Sequence, residues 1–220
     1  MRIGIGLQSR ISSKRFPNKV FHELIPGKTV LDFCLERCAE IQAMLADQFV
    51  AIGLLVPTLQ NQIFEHVAAN HGVNLLTGPE DNVLKRYDNF QKWGSFDYIV
   101  RVTSDCPLIV TEEAVKMIKD VIQFKFDYGA MKTPEDWFDG TDVEIFTPDI
   151  LKKLISFALE NKSKETIEHV TWPINNTDKI FAHKLYWPKN NKYHEVPKLS
   201  VDTAEDYFRV KNYLGECFWI

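Results

Sequence analysis

Four cations fall within ten residues of this chain: Arg10, Lys14, Arg15 and Lys19. They share the stretch Ser9-Arg10-Ile11-Ser12-Ser13-Lys14-Arg15-Phe16-Pro17-Asn18-Lys19 with three hydroxyls. Each cation offers charge-assisted hydrogen bonds, so several phosphate oxygens would satisfy the set. The apolar run at residues 3–7 stops just before it. A buried strand feeding a cationic loop is the order expected where an open α/β sheet holds an anion at its strand ends. A solvated basic loop after an edge strand has the same spacing, and the residues alone leave both readings open.

Carboxylates stand at comparable places further along. In Arg101-Val102-Thr103-Ser104-Asp105-Cys106-Pro107-Leu108-Ile109 an apolar strand delivers Asp105 at its carboxyl end, and Pro107 turns the chain away. Open α/β sheets bind ligands at such ends, although an Asp that caps a turn gives the same pattern. In Lys198-Leu199-Ser200-Val201-Asp202-Thr203-Ala204-Glu205-Asp206, Thr203 can cap a final helix, and Glu205 and Asp206 suit the positive end of its dipole. Asp202 has no such duty. In Asp139-Gly140-Thr141-Asp142-Val143-Glu144-Ile145-Phe146, Asp142 and Glu144 alternate with apolar residues and share one side of a strand. A solvent-facing sheet surface alternates in the same way. Gly78-Pro79-Glu80-Asp81-Asn82 fits an ordinary acidic helix start.

Two other nucleotide motifs fail. Gly4-Ile5-Gly6 lacks the third glycine of a dinucleotide fingerprint, since Ser9 stands there, and its glycines lie inside the apolar run. Gly27-Lys28-Thr29 ends like a phosphate loop, but His22 occupies the first glycine position.

Taken in order, these segments resemble the sugar cytidylyltransferases. The family opens with an apolar strand, then Arg, two small residues, a polar residue, Arg, apolar, Pro, small, Lys. Arg10, Ser12, Ser13, Lys14, Arg15, Pro17 and Lys19 fall in register, and Asn18 stands where Gly is usual. The family segment Arg-apolar-x-x-Asp-x-Pro-apolar-apolar, whose Asp binds the catalytic metal, matches at Asp105. Its Val-Asp-Thr-Pro-Glu-Asp segment matches from Val201 to Asp206, with Ala204 for Pro, and its first Asp, here Asp202, is the second metal ligand. The segment from Gly78 to Tyr87 is similar to the one bordering the base pocket. Asp139 to Phe146, with Glu168-His169-Val170, is similar to the spore coat polysaccharide branch, itself related to 3-deoxy-manno-octulosonate cytidylyltransferase.

The resemblance implies a nucleotide-diphospho-sugar transferase (glycosyltransferase-A-like) fold: a three-layer α/β/α sandwich on a mixed, mostly parallel sheet. It implies Mg²⁺-dependent transfer of CMP from CTP to a sugar acid of the 2-keto-3-deoxy type, with pyrophosphate leaving, in surface polysaccharide biosynthesis. Arg10, Lys19 and Asp105 would be catalytic. Leu7, Ser9, Arg10, Ser13, Arg15, Lys19, Asp81 and Thr103 would meet the nucleotide, and Asp142, Glu144, Glu168 and His169 the sugar. Asp105 and Asp202 would hold Mg²⁺, and a homodimer is implied. Three alternatives remain: a nucleotidyltransferase of other base or sugar-phosphate specificity, a sugar-nucleotide glycosyltransferase, and a non-catalytic nucleotide-binding homologue. Ser104-Asp105-Cys106 lacks the paired Asp of the glycosyltransferases, and joint retention of Arg10, Lys19, Asp105 and Asp202 speaks against the homologue without activity.

The elements that would position these groups follow from size and periodicity. At 220 residues the chain suits one domain, residues 1–220. Its net charge of −4 disfavours a broad nucleic-acid surface. No run approaches the ~20 apolar residues that span a bilayer, and the N-terminus lacks a signal-peptide pattern, so no membrane partner and a cytoplasmic location are expected. Cys34, Cys38, Cys106 and Cys217 form no CxxC pair and are expected as buried free thiols. Strands are expected at residues 2–8, 49–56, 73–77, 97–103, 128–132, 142–146, 181–187 and 199–201. Helices are expected at 30–48, 60–71, 80–92, 111–124 with a Thr111 cap, 148–160, 166–170 and 204–214. Their alternation argues for a parallel-dominated sheet with helices on both faces.

Overall fold

The computed structural model describes residues 1–131, 137–177, 185–186, 188–189, 192–193 and 195–217. The chain opens with β1 (Arg2–Gln8), a hairpin of β2 (Glu23–Ile25) and β3 (Lys28–Thr29), and α1 (Val30–Met44). Next come β4 (Phe49–Pro57), α2 (Asn61–Asn70), β5 (Asn74–Gly78), α3 (Val83–Gly94) and β6 (Tyr98–Thr103). After α4 (Thr111–Gln123) the order is β7 (Tyr128–Ala130), β8 (Val143–Phe146), α5 (Pro148–Asn161), α6 (Lys164–His169), α7 (Trp172–Asn176), β9 (Leu185–Tyr186) and α8 (Ala204–Cys217).

One sheet of seven strands, ordered β5-β4-β1-β6-β8-β7-β9, carries the site. Its central strand β1 pairs in parallel with β4 and β6, and β8 is antiparallel to both β6 and β7. Side-chain alternation sends Ile3, Ile5, Leu7, Val100 and Val102 into one core with α1, α4 and α8. On the other face Leu55, Ile99, Tyr128 and Phe146 pack with α3 and α5. The result is the expected three-layer sandwich. Gly4 and Gly6 occupy the second face of β1, and a Cβ there would meet Phe96 at 2.4 Å and Tyr87 at 2.7 Å. These glycines admit the aromatic side of α3 against the sheet, which is why they lie inside the apolar run.

Several local expectations need correction. Helix α3 begins at Val83, not at residue 80, because Asn82 caps it by accepting from Lys85 N at 2.7 Å. Thr111 does not cap α4: Val110 holds that position, and Thr111 Oγ1 instead donates to Glu40 Oε2 at 3.1 Å. Helix α1 stops at Met44 and α6 starts at Lys164, behind a Ser163 cap. Of the strand expected at 181–187, Leu185 and Tyr186 form β9 and the other five residues lie outside the described residues. Residues 199–201 form no strand. This segment crosses the end of the sheet, where Leu199 N and Ser200 N donate to Asp139 O at 2.6 and 3.1 Å, and Val201 N to Asp105 O at 2.7 Å.

Gly140 makes that crossing possible. Its φ is +122°, and an added Cβ would lie 2.5 Å from Leu199 C and Ser200 N, which are backbone atoms. Neither strain nor collision can be relieved by a rotamer change. Gly140→Ala should therefore cost roughly 2–5 kcal/mol, the sum of a strained φ and an overpacked contact. Urea unfolding measures this; a loss under 1 kcal/mol would mean that the crossing segment moves freely.

Candidate active site

The loop after β1 and the ends of β6 and β8 enclose a cleft of about 810 Å³. Ser9, Arg10, Ser13, Arg15, Lys19, Asp81, Thr103, Asp105, Asp142, Glu144, Glu168, His169 and Asp202 all line it. Leu7 does not. It is fully buried among the apolar side chains on one sheet face, because alternation along β1 turns it away from the strand end. Its side chain takes no part in lining the cleft.

The cationic loop is held from several sides. Ile11 N donates to Gln60 Oε1 at 3.0 Å, and Asn18 N to Ile11 O at 3.0 Å. Asn18 has φ 57° and ψ 17°, the left-handed conformation for which glycine is usual. Asn tolerates it better than most residues, so the loop keeps its path. Ser12 Oγ donates to Glu80 on one lip, and Arg10 pairs with Glu168 on the other at 2.9 Å.

Beneath the loop lies Arg86, which is only 2% exposed. Its guanidinium donates to Ser9 O at 3.0 Å and Leu55 O at 2.8 Å, clamping the ends of β1 and β4 together. Burial lowers its pKa to about 10, so it remains a cation at neutral pH. Arg86 Nε and Ser9 Oγ are buried at the cleft wall without a protein partner.

Asp105 and Asp202 converge on one cation. Lys19 Nζ donates to Asp105 Oδ2 at 3.1 Å, to Asp202 Oδ1 at 3.3 Å and to Val201 O at 2.7 Å. Arg15 reaches the same Asp202 oxygen at 2.9 Å. Burial works to raise the Asp105 pKa, but the Lys19 ammonium and hydrogen bonds from Thr103 and Lys19 overcome it and hold the carboxyl below its ordinary value. Among the described residues no group of three or more His, Cys, Asp or Glu side chains forms a metal cage. Two hard carboxylate oxygens that already meet at one positive charge nonetheless fit Mg²⁺, which binds through one or two carboxylates and completes its shell with phosphate and water.

The far end of the cleft is acidic. Asp142 is pushed up to about 6 by burial, then by Asp139, Asp105 and Glu144. Glu144 is 8% exposed and fully engaged: one oxygen accepts from Tyr128 Oη and Thr171 Oγ1, each at 2.6 Å, and the other pairs with Arg101. Its carboxylate braces the cleft floor, and its alternation with Asp142 marks an enclosed wall, not a solvent-facing surface. The sequence alone assigns no role to Arg86, Arg101 or Lys198, and gives Asp206 only a place in the first turn of the last helix. Arg86 had a usable signal, a charge amid Val83, Tyr87 and Phe90 on the apolar face of α3.

Asp206 carries a pH consequence. Burial acts to raise its pKa, but hydrogen bonds from Arg209, Lys198 and Thr203 outweigh this and bring it to about 2. The folded value lies below the unfolded one of ~3.9, so the group stabilises the fold above about pH 4 and loses that contribution as pH falls toward 2. Between pH 6 and pH 3, unfolding free energy should drop about 1 kcal/mol more in wild type than in Asp206→Asn. Urea melts at the two pH values test this; parallel losses would contradict it.

Comparison with known proteins agrees with this geometry. An uncharacterised protein of Methanocaldococcus jannaschii is 32% identical over 93% of this chain and 79% of its own. The spore coat polysaccharide biosynthesis protein SpsF of Bacillus subtilis is 24% identical over 93% of this chain and 83% of its own. The structure of a cytidylyltransferase from Leptospira borgpetersenii superposes with a TM-score of 0.83 at 27% identity, covering 98% of this chain and 87% of that one. The architecture is the nucleotide-diphospho-sugar transferase fold. The family model for cytidylyltransferases matches residues 5–214, from β1 through α8, and the chain belongs to that family.

Proposed function

We propose that residues 1–220 act as one cytidylyltransferase domain that transfers CMP from CTP to a sugar acid of the 2-keto-3-deoxy type. The convergence of Asp105 and Asp202 on the Lys19 ammonium, at the mouth of a cationic loop, is the observation that carries this reading. A hydroxyl oxygen of the acceptor attacks the α-phosphorus in line, a P–O bond forms, the bond to pyrophosphate breaks, and the hydroxyl proton passes to solvent. Arg10, Arg15 and Lys19 hold the triphosphate and balance the charge that builds on the leaving pyrophosphate. Asp105 and Asp202 would hold Mg²⁺, which supplies Lewis-acid neutralisation of the phosphate oxygens. Held by these groups, the two reactants meet in line, and that positioning supplies much of the rate.

Asp81, beside the start of α3, and Thr103 suit the nucleoside. At the acidic end, where Asp142, His169, Trp172 and Asn176 line the cleft, Asp142 and Asn176 can bond sugar hydroxyls, Trp172 offers an apolar face, and His169 would meet the acid group. The spore coat polysaccharide role of the Bacillus relative supports a place in surface polysaccharide synthesis. Location in the cytoplasm is part of the same reading; no helix among the described residues is long and apolar enough to cross a membrane.

CTP should raise the melting temperature more than ATP or GTP at equal concentration, because a base subsite sized for a pyrimidine would exclude purines and binding stabilises the folded state. Equal shifts for CTP and ATP would remove the assignment. Arg10→Ala should cut turnover by about 10²–10³-fold with a nearly unchanged melt, since its pair with Glu168 is exposed and contributes at most about 1 kcal/mol. Lys19→Ala should lose turnover and also melt earlier, because it leaves Asp105 and Asp202 facing each other. Adding Asp202→Asn to that variant should recover part of the melt and none of the turnover. Near-normal pyrophosphate release from either single variant would refute the role given to the loop.

A further inference from the structure

The Asp202 carboxylate is divided between two neighbourhoods. Oδ1 faces the cleft, where Lys19 and Arg15 reach it at 3.3 and 2.9 Å. Oδ2 turns away to Lys198 Nζ at 3.2 Å. Lys198 Nζ in turn lies 3.2 Å from Asp206 Oδ2. That oxygen also accepts from the backbone of Asp202 at 3.2 Å and of Thr203 at 3.1 Å. Asp206 Oδ1 is held by Arg209 at 2.7 Å, and Asp206 N donates to Thr203 Oγ1 at 3.2 Å. Asp206 is 5% exposed, so this arrangement is anchored in the protein.

A helix cap explains the bonds between Thr203 and Asp206. It does not explain Lys198. Lys198 arrives from the segment that crosses the sheet end, before the helix, and closes a carboxylate–ammonium–carboxylate chain onto Asp202. We propose that Lys198 and Asp206 are positioning residues for Asp202. Asp206 anchors the ammonium, and the ammonium occupies Oδ2 so that Oδ1 alone is presented to the divalent cation. Mg²⁺ and Mn²⁺ demand ordered ligand geometry, and a carboxylate that rotates freely offers several wrong ones. Partners of this kind typically contribute 10–100-fold in metal affinity.

The proposal rests on the metal reading given above, and its electrostatic sign separates it from simpler roles. A lysine beside a metal site repels the metal. If charge were its only effect, removing Lys198 would tighten binding; if it orients the ligand, removal weakens binding despite the lost repulsion.

The probe is Mn²⁺ alone, titrated into the full chain and followed by water-proton relaxation, with each variant's melting temperature recorded. Asp202→Asn should abolish the site. Lys198→Gln should bind about 10–100-fold more weakly, and Lys198→Arg should fall between it and wild type. Asp206→Asn keeps an oxygen for the cap bonds, so it supplies a second reading should Lys198→Gln melt early, and it should also weaken binding. In turnover, raised Mg²⁺ should rescue Lys198→Gln and not Asp202→Asn. Unchanged or tighter Mn²⁺ binding in Lys198→Gln, with a wild-type melt, overturns the positioning role and leaves the metal reading intact. Wild-type binding in Asp202→Asn, or no binding in wild type, overturns both.

Discussion

Charge balance at one end of the sheet constrains everything else in this molecule. Asp105 and Asp202 come from segments 97 residues apart, and each would be repelled by the other if brought close without a cation. Lys19 supplies that cation from a third segment, and its ammonium is nearly enclosed, with 12% of the side chain exposed. The enclosure strengthens the attraction relative to water. It also means that the cationic loop, the end of β6 and the crossing segment are tied through one nitrogen. A triphosphate arriving with a divalent ion would meet a site whose charges are already arranged in alternation.

Holding such an arrangement requires a platform that does not shift. The platform is β1 between its two parallel neighbours, with every position from Ile3 to Leu7 buried. Close packing on both faces fixes it: branched side chains toward α1 and α4, and glycines toward the aromatic side of α3. Arg86 then clamps the carbonyl of Ser9, the first loop residue, to that of Leu55 on β4. Two buried cation systems, Arg86 under the loop and Arg101 with Glu144 under the acidic end, therefore support opposite halves of the cleft. The buried Arg101–Glu144 pair contributes little net stability compared with apolar packing, but breaking one partner is costly, and among the described residues the Arg86 cation is hydrogen-bonded only to backbone carbonyls. Geometry is the better explanation for both.

Much of this was legible in the sequence, for a reason that can be stated residue by residue. β1 runs between the expected boundaries, because an uninterrupted apolar run ended by charge has one sensible interpretation. Asp105 and Asp202 are together because each follows an apolar run that is buried. The failures occur where a partner distant in sequence decides. Leu199 and Val201 are apolar and flank Ser200 in a strand-like alternation, yet residues 199–201 pair with the Asp139 and Asp105 carbonyls and with no neighbouring strand. Thr111 is suited to capping but is taken by Glu40 of α1. Leu7 was grouped with its loop, though alternation assigns it to the core. Lys198 stood within a quoted motif without a role, and Asp206 was legible only as a first-turn acid of α8, since a sequence shows spacing and not which oxygen a lysine reaches.

The departures from the family pattern separate what the site needs chemically from what it needs conformationally. Asn18 replaces a usual glycine, and the backbone there still adopts the left-handed conformation. Ala204 replaces a usual proline at the first position of α8, where proline would only have preset an angle. The bonds that the Asp202 and Thr203 amides donate to the Asp206 carboxylate hold that turn by another route. In both places a conformation is preserved while the residue type that most cheaply specifies it has changed. Arg10, Lys19, Asp105 and Asp202 keep the residue types of the pattern, and a charge at a fixed distance has no conformational substitute. Gly140 belongs with this second group for a steric reason: the Leu199 backbone passes where any side chain would be, and the position of Asp202 depends on that passage.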